Sequence, residues 1–359
     1  MPFTFAVDPV ELIDERASQW TGLGVKPPTI AGVRGKVSDL WSDEPGGWVH
    51  EWSAVARDAE ASGNLQLASL LYGIAKFPVL ANRAHRDAYD NQLRTYLLAA
   101  KASEGFGAGF ERHVVDVDFR GSRAQVATHL FAPPGVPDDA PVVLALSGVD
   151  TWKMELHGVS VAAAQLLPAR VAVVDMAGTG ESTVANGPDG DLYLAGVLDW
   201  LRRRFPHARR AGAIGFSFGG HWTTKLALTG RVDAAVSFGG LVAEAFEAGN
   251  VAQLRFGMRG IFGNSLRLDM EPGLPEVISA MEPFSLRRQG LLDDWGAEPA
   301  ALLSVNGTDD PHVPQGDITV LAGRPNTIAR LVPETTHCAA EKLGELIPWA
   351  FEWLGRELA

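Results

Sequence analysis

The sequence contains a single cysteine, Cys338, in 359 residues. One cysteine excludes an intrachain disulfide and any metal site built from several cysteines. The sequence also lacks an uncharged apolar run approaching the roughly 20 residues that a membrane-spanning helix needs. Its first residues, from Met1 to Asp8, carry neither the basic region nor the apolar core of a secretory signal. We therefore expect a cytoplasmic protein with no membrane-spanning segment.

Basic side chains are outnumbered by acidic ones, 31 to 43, which gives a formal net charge of −12. This charge repels phosphate backbones and anionic lipid surfaces, so we expect neither a nucleic acid nor a membrane as a partner. The hydrophobic fraction of 46% and the charged fraction of 21% are typical of a globular protein. The length exceeds one average domain and favours a large domain with a smaller companion.

The first third of the chain has a helical pattern. From residue 8 to about residue 103, apolar residues recur near a 3.6-residue period and predict four amphipathic helices without intervening strands. Asp8 and Pro9 fit the N-cap and first residue of the first helix. The pair Pro27–Pro28 and the three residues Pro45–Gly47 are interpreted as loops. Residues 1–108 are therefore predicted to form a helical N-terminal cap domain.

After residue 109 the apolar period changes to two, which indicates an antiparallel strand pair. Continuous apolar runs alternating with helical segments follow, and they predict a mostly parallel sheet flanked by helices. The predicted buried strands are Val142–Leu146, Val171–Val174, Ala211–Phe216, Ala234–Phe238, Ala301–Val305 and Ile328–Val332. Residues 109–359 are thus predicted to form an α/β domain. Within it, residues 241–298 are too long for an ordinary connection and are predicted to be a lid insertion.

The pentapeptide Gly215–Gly219 has the pattern G-x-S-x-G between a predicted strand and a helix-compatible segment. This context fits a nucleophile elbow, in which a strained turn projects the serine and the glycines allow close packing. Ser217 is therefore the predicted nucleophile. Cys338 is the alternative nucleophile, but its neighbourhood gives it no independent support.

A serine hydroxyl needs a neighbouring base, and that base needs an acidic group to fix its tautomer. His337 is the preferred base because it follows the last predicted strand, after the serine and the acid in the chain. The acid lies in the loop after the strand that ends at Val305, where Asp309 and Asp310 are adjacent. The spacing Gly-x-x-Asp-x-x-Val-Pro selects Asp310, with Asp309 as the alternative.

The oxyanion formed during acyl transfer needs two backbone N–H donors. The residue after the nucleophile, Phe218, is the first candidate. The second is Val149 or Asp150, in the loop after the strand Val142–Leu146. The same loop carries Asp150, Lys153 and Glu155. One interpretation is that all three are charged side chains on an exposed loop. The other is that Asp150 binds a polar group of the substrate or orients a catalytic water.

The residues Ser217, Asp310 and His337, with their motifs, resemble the α/β-hydrolase superfamily over about residues 110–359. Together with the helical N-terminal region, they are similar to the subgroup that includes 2,6-dihydroxypseudooxynicotine hydrolase, related esterases and polyketide-shortening hydrolases. In that dihydroxypseudooxynicotine hydrolase, an acidic residue in the loop after the early strand is implicated in substrate handling. The loop motif of that hydrolase aligns with residues 148–155, where Asp150 stands for its glutamate and Trp152 for a small polar residue. The resemblance implies substrate contacts by Asp150 and Trp152.

This resemblance implies a serine hydrolase with a Ser217–His337–Asp310 triad that cleaves an ester, or a carbon–carbon bond next to a ketone. The expected substrate is a medium-sized hydrophobic, aromatic or polyketide-like small molecule of specialised metabolism. Two alternatives stay open: a lyase or cyclase in which Ser217 only hydrogen-bonds the ligand, and a ligand-binding protein on this fold. No metal or organic cofactor is expected, and an exposed face of the helical domain leaves a homodimer open.

Overall fold

The computed structural model describes residues 2–102, 109–293, 295 and 299–359. The chain divides into two compact units. One contains Met1–Phe106 with Arg255–Asn264 and Leu268–Pro272, and the other contains Gly107–Leu254, Ser265–Arg267 and Gly273–Ala359. The predicted boundary at residues 108 and 109 touches residues outside the described ranges, and so does the end of the predicted insertion at residue 298.

The first unit is helical. Its N-terminal helices are α1 (Pro9–Gly22), α2 (Pro27–Arg34), α3 (Trp48–Ala61), α4 (Leu65–Ala75) and α5 (Arg83–Ala102). The carboxylate of Asp8 accepts hydrogen bonds from the amides of Val10 and Glu11, so the predicted N-cap is confirmed. The loop predicted at Pro27–Pro28 is wrong. The two prolines instead occupy the first turn of α2, where a missing N–H costs nothing and the fixed φ suits a helix.

Tryptophan side chains form the centre of this helical core. Trp48 and Trp52 are fully buried, and the ring of Trp20 meets both in edge-to-face contacts with centroids 5.9 and 5.2 Å away. The indole N–H of Trp48 donates to the carbonyl of Ile74, so its polar group is satisfied. These aromatic residues act as core, as expected of an amphipathic helix bundle.

The second unit contains one eight-stranded sheet among the described residues, with strand order β1-β2-β4-β3-β5-β6-β7-β8. The strands are β1 (Phe110–Phe119), β2 (Ser122–Phe131), β3 (Val142–Leu146), β4 (Arg170–Val174), β5 (Ala211–Phe216), β6 (Ala234–Phe238), β7 (Ala301–Gly307) and β8 (Thr327–Val332). β1 and β2 are antiparallel, and β3 to β8 are parallel to one another. The strand positions are confirmed, and every residue of β3 to β7 except Phe216 is buried. The expectation of a buried strand at Ile328–Val332 is wrong. Only Val332 of β8 is buried, because β8 is the last strand in the order and lies at the edge of the sheet.

Helices flank this sheet. The helices of this unit are α6 (His157–Leu166), α7 (Gly190–Arg204), α8 (Phe218–Leu228), α9 (Ala248–Val251), α11 (Leu274–Met281), α12 (Gly316–Thr319) and α13 (Leu343–Glu357), and α10 (Met258–Ser265) falls mostly in the other unit. The apolar stripe of α13 shares one core cluster with α6 and the central strands. No helix in the described ranges is long and apolar enough to cross a membrane.

The register of the parallel strands brings their carboxyl ends together. Leu146 at the end of β3 pairs with Gly215 of β5, which pairs with Ser237 of β6. The loops that follow β3, β5, β6 and β7 therefore leave the sheet at one edge, where α/β proteins place their functional groups.

Candidate active site

Ser217 lies on the sharp turn between β5 and α8. Its backbone has φ 55° and ψ −126°, a conformation that costs a non-glycine residue on the order of 1–3 kcal/mol. The turn is held by a 2.7 Å hydrogen bond from the Ser217 amide to the carbonyl of Phe238 and a 2.8 Å bond from the Gly220 amide to the Ser217 carbonyl. The strand, strained turn and helix of a nucleophile elbow are all present.

The glycines of this turn are required by contact with neighbouring backbone. A Cβ atom at Gly215 would lie 2.2 Å from the carbonyl oxygen of Gly219. A Cβ atom at Gly219 would lie 2.5 Å from the carbonyl oxygen of Ser147. Because both obstacles are backbone, neither can move aside as a side chain would, so the G-x-S-x-G pattern reflects the packing of α8 on the sheet.

Asp310 and His337 meet at the same edge of the sheet. The His337 Nδ1 atom lies 2.6 Å from Oδ2 of Asp310, and the Asp310 side chain is only 1% exposed. The other oxygen of Asp310 accepts hydrogen bonds from the backbone amides of His312 and Val313, at 2.7 and 3.1 Å. Asp309 is exposed, and its side chain accepts a hydrogen bond from the hydroxyl of its neighbour Thr308.

The electrostatics of this pair fix its protonation. Burial raises the pKa of the Asp310 carboxyl, but the charge and hydrogen bond of His337, with those of Asn306 and the His312 amide, lower it to about 2. Burial also opposes the charged form of His337, yet the Asp310 carboxylate outweighs it and holds the His337 pKa well above 6.5. The ionised Asp310 therefore accepts the Nδ1 proton, which leaves Nε2 as the atom that can exchange protons.

Ser217 and the His337 turn meet at the carbonyl oxygen of Phe238. This oxygen accepts the Ser217 amide at 2.7 Å and the Cys338 thiol at 3.2 Å. A Cβ atom at Gly239 would lie 3.0 Å from Cε1 of His337, so the imidazole packs against the segment that follows β6. In the described part of the chain no hydrogen bond joins Ser217 Oγ to His337, whereas His337 and Asp310 are bonded directly.

The loop after β3 passes beside the serine. A Cβ atom at Gly148 would lie 3.3 Å from Ser217 Oγ and 3.6 Å from Oδ1 of Asp150. Val149 and Asp150 follow in the same buried loop. The Trp152 side chain is also buried, and its indole N–H donates to the Val149 carbonyl at 3.1 Å, so Trp152 fixes the backbone of the residue predicted to bind the oxyanion.

A family model described as "Esterase FrsA-like" matches residues 29–354 of this chain. The chain belongs to the FrsA-like esterase family. It is therefore an α/β-hydrolase enzyme. A search of the curated proteins finds no significant match to it.

Solved structures similar to this FrsA-like esterase show the same fold. A structure titled "AbyA5 Wildtype" has a TM-score of 0.80 and 18% identity, covering 97% of this chain and 93% of its own. The 2,6-dihydroxy-pseudo-oxynicotine hydrolase has a TM-score of 0.73 and 19% identity, covering 95% of each chain. Est1E from Butyrivibrio proteoclasticus, bound to ferulic acid, has a TM-score of 0.51 and 15% identity, covering 68% of this chain and 98% of its own.

The interpretation of residues 150–155 as an exposed charged loop is wrong for the FrsA-like esterase. Lys153 is fully buried, and its Nζ atom contacts Oδ2 of Asp175 at 2.5 Å and Oε2 of Glu181 at 2.8 Å. The Lys153 amide also donates to Asp175 at 2.9 Å. The turn 175–182 thus holds the loop beside Ser217 through a buried ion network.

The sequence analysis did not predict the contacts of Asn306, the penultimate residue of β7. Its side chain bonds both Asp310 and the backbone of Cys338. The only signal in the sequence is a polar residue near the end of a mostly apolar strand, just before the loop that carries Asp310. Among the residues that the structure describes, no group of three or more His, Cys, Asp or Glu side chains could hold a metal ion.

Proposed function

We propose that this chain is a serine hydrolase with Ser217 as nucleophile, His337 as general base and Asp310 as the acid that orients it. The observation that carries the proposal is the 2.6 Å contact between Asp310 Oδ2 and His337 Nδ1, on the same sheet edge as the strained turn of Ser217. A buried carboxylate on Nδ1 fixes the tautomer that a serine hydrolase needs.

In the proposed reaction, Ser217 Oγ attacks the substrate carbonyl and its proton passes to Nε2 of His337. The backbone amides of Phe218 and Val149 bind the resulting oxyanion; Asp150 is the alternative source of the second amide. The intermediate collapses to an acyl-enzyme as the leaving group takes the proton from His337. Water then attacks the acyl carbon and gives a proton to Nε2. As the bond between the acyl carbon and Ser217 Oγ breaks, Nε2 returns this proton to Oγ, which releases the acid product and restores Ser217 and neutral His337.

The same steps apply to two kinds of bond. An ester releases an alcohol, whereas a ketone-activated carbon–carbon bond releases a stabilised carbanion that is protonated at carbon. We propose a medium-sized hydrophobic, aromatic or polyketide-like substrate, which Asp150 and Trp152 contact. In this proposal residues 1–108 act as a cap and residues 241–298 as a lid. The ferulic acid bound to Est1E supports an aromatic substrate.

The first test is intact-protein mass after incubation with a small alkyl fluorophosphonate. We expect one adduct on the wild type and none on Ser217→Ala. Ser304→Ala is the matched control, because Ser304 is buried in β7 and is expected to leave labelling unchanged. Labelling should be accompanied by hydrolysis of p-nitrophenyl acetate.

A wild type that remains unlabelled and leaves the ester intact would contradict the triad and favour a lyase, cyclase or ligand-binding protein. If labelling succeeds, product analysis on aryl esters and aryl β-diketones identifies the scissile bond. Cleavage of the diketone to an acid and a ketone would establish the carbon–carbon activity.

A further inference from the structure

Asn306 occupies a fully buried position in β7. Its Nδ2 atom donates a 2.7 Å hydrogen bond to Oδ2 of Asp310, and its Oδ1 atom accepts a 2.9 Å bond from the backbone N–H of Cys338. A carboxylate oxygen can only accept and an amide N–H can only donate, so these two partners determine the orientation of the Asn306 amide. One side chain therefore connects the predicted acid to the turn that carries the predicted base.

The Asn306 bond completes the environment of the Asp310 carboxylate. Oδ2 accepts from Asn306 and from His337, while Oδ1 accepts from the amides of His312 and Val313. Four donors on two oxygens leave the carboxylate little freedom to rotate. Loss of the Asn306 donor would let the plane of the carboxylate turn away from the imidazole.

The bond to Cys338 supports an unusual backbone. Cys338 has φ 60° and Ala339 has φ 52°, so two consecutive non-glycine residues occupy the left-handed region directly after His337. Such conformations persist where the surrounding structure holds them. The side-chain oxygen of Asn306 accepts a hydrogen bond from the backbone N–H of Cys338, the first of these two residues. The Cys338 thiol also donates a hydrogen bond to the backbone carbonyl of Phe238.

We propose that Asn306 is a positioning residue for the triad, which aligns Asp310 with His337 and fixes the His337–Cys338 turn toward Ser217. This inference rests on the proposed function, because it concerns the alignment of the proposed base. Asn306 touches no reacting atom. It acts on the rate through the geometry of the Asp310–His337 pair.

The test compares Asn306→Leu with wild type in p-nitrophenyl acetate hydrolysis and in fluorophosphonate labelling. The leucine has nearly the same volume but can neither donate nor accept. We expect kcat to fall by roughly 10- to 100-fold while KM changes less than about threefold, because alignment of the base matters in the transition state rather than in binding. The labelling rate constant should fall by a similar factor.

Asn186→Leu is the matched control. Asn186 is also a buried asparagine of the second unit; it bonds Ser265 and Gly187 and contacts no triad residue. We expect this variant to lose stability but to keep the wild-type kcat and labelling rate. If Asn306→Leu does not fold by circular dichroism, Asn306→Ser, which keeps a shorter hydrogen-bonding group, is measured with the same assays and is expected to be intermediate.

A double-mutant cycle separates positioning from general destabilisation. In an Asp310→Asn background, the further fall in kcat on Asn306→Leu should be at least about threefold smaller than in wild type, since residues that act as a unit are not additive. A folded Asn306→Leu or Asn306→Ser variant with kcat within twofold of wild type would overturn the inference, as would an unchanged effect in the Asp310→Asn background. Failure of the proposed function is a different result, because the wild type itself would then be neither labelled nor active.

Discussion

The Oδ2 atom of Asp310 accepts the Nδ1–H of His337 at 2.6 Å, although the two residues are 27 positions apart in the chain. The contact joins the loop after β7 to the loop after β8, and the two strands are hydrogen-bonded neighbours in the sheet. Because Asp310 stays ionised far below neutral pH, it stabilises the protonated imidazole. This contact therefore couples the basicity of His337, the proposed base, to the pH range of the proposed reaction.

The first prediction concerns pH. His337 must be neutral to accept the serine proton, so activity is present above its pKa and is lost as the pH falls through it. Since Asp310 raises that pKa, kcat/KM for p-nitrophenyl acetate should fall on an acid limb with a midpoint above 6.5. Asp310→Asn removes the negative charge, so the midpoint should move to lower pH and the maximum should fall by about 10³- to 10⁴-fold.

Asp309→Asn is the control for this profile. The Asp309 side chain is adjacent in sequence but exposed, and it does not contact His337. Its pH profile should match the wild type. An acid midpoint that shifts with Asp309 but not with Asp310 would assign the acid to the alternative residue.

The second prediction concerns the buried ion network around Lys153. Burial lowers the pKa of Lys153, but Asp175 and Glu181 outweigh it and raise the pKa, so the ammonium is charged at neutral pH. Lys153→Met leaves two carboxylates without their buried cation, and we expect about 3–5 kcal/mol of lost stability at pH 7.5. Urea unfolding monitored by circular dichroism measures the loss.

The partly exposed Arg112 provides the comparison for Lys153. It contacts Glu181 at 2.5 Å with 29% of its side chain exposed, so Arg112→Met should cost only about 0–1 kcal/mol. Equal losses for the two variants would show that the burial of Lys153 does not decide its contribution.

The third prediction concerns the close approach of α8 to the sheet. In Gly219→Ala the new methyl group would lie 2.5 Å from the Ser147 carbonyl oxygen and 2.8 Å from that of Leu146. We expect a loss of about 1–3 kcal/mol and a large fall in esterase activity, because the turn of Ser217 must shift to make room. Thermal unfolding and p-nitrophenyl acetate hydrolysis test the two effects.

Gly158→Ala is the matched substitution. Gly158 lies in α6, and a Cβ atom there would meet nothing within 4 Å. Alanine is the better helix former by about 0.5–1 kcal/mol, so this variant should be at least as stable as wild type and equally active. A Gly219→Ala enzyme as stable and active as Gly158→Ala would show that the turn tolerates a side chain.

The strands of the second unit were predicted well because β3 to β7 are buried on both faces and therefore have short, largely apolar sequences. Val142–Leu146 and Ala234–Phe238 were predicted with the bounds that the structure has. α2 was missed because a proline pair signals both a loop and a helix start, and packing of Ile30 and Val33 against the helical core decides between them.

The candidate site residues could be predicted because their positions relative to the strands are local signals: Ser217, Asp310 and His337 each follow a strand. The contacts of Asn306 and Lys153 were not visible. Asn306 bonds Cys338 across 32 residues and Lys153 bonds Asp175 across 22. The apolar periodicity of a sequence does not predict such long-range hydrogen bonds, because they form only when neighbouring strands bring the loops that follow them to the same end of the sheet.

Local sequence patterns were sufficient to predict the alternation of strands and helices, the elbow at Gly215–Gly219 and the residue types available for chemistry, since burial and turn geometry act on nearby residues. Only the tertiary structure decided which atoms meet: Nδ1 of His337 with Asp310, Asn306 between the acid and the Cys338 amide, and Lys153 buried with its two carboxylates. Hydrogen bonds require atoms within about 3 Å, and across long loops only the strand order of the folded sheet brings them that close.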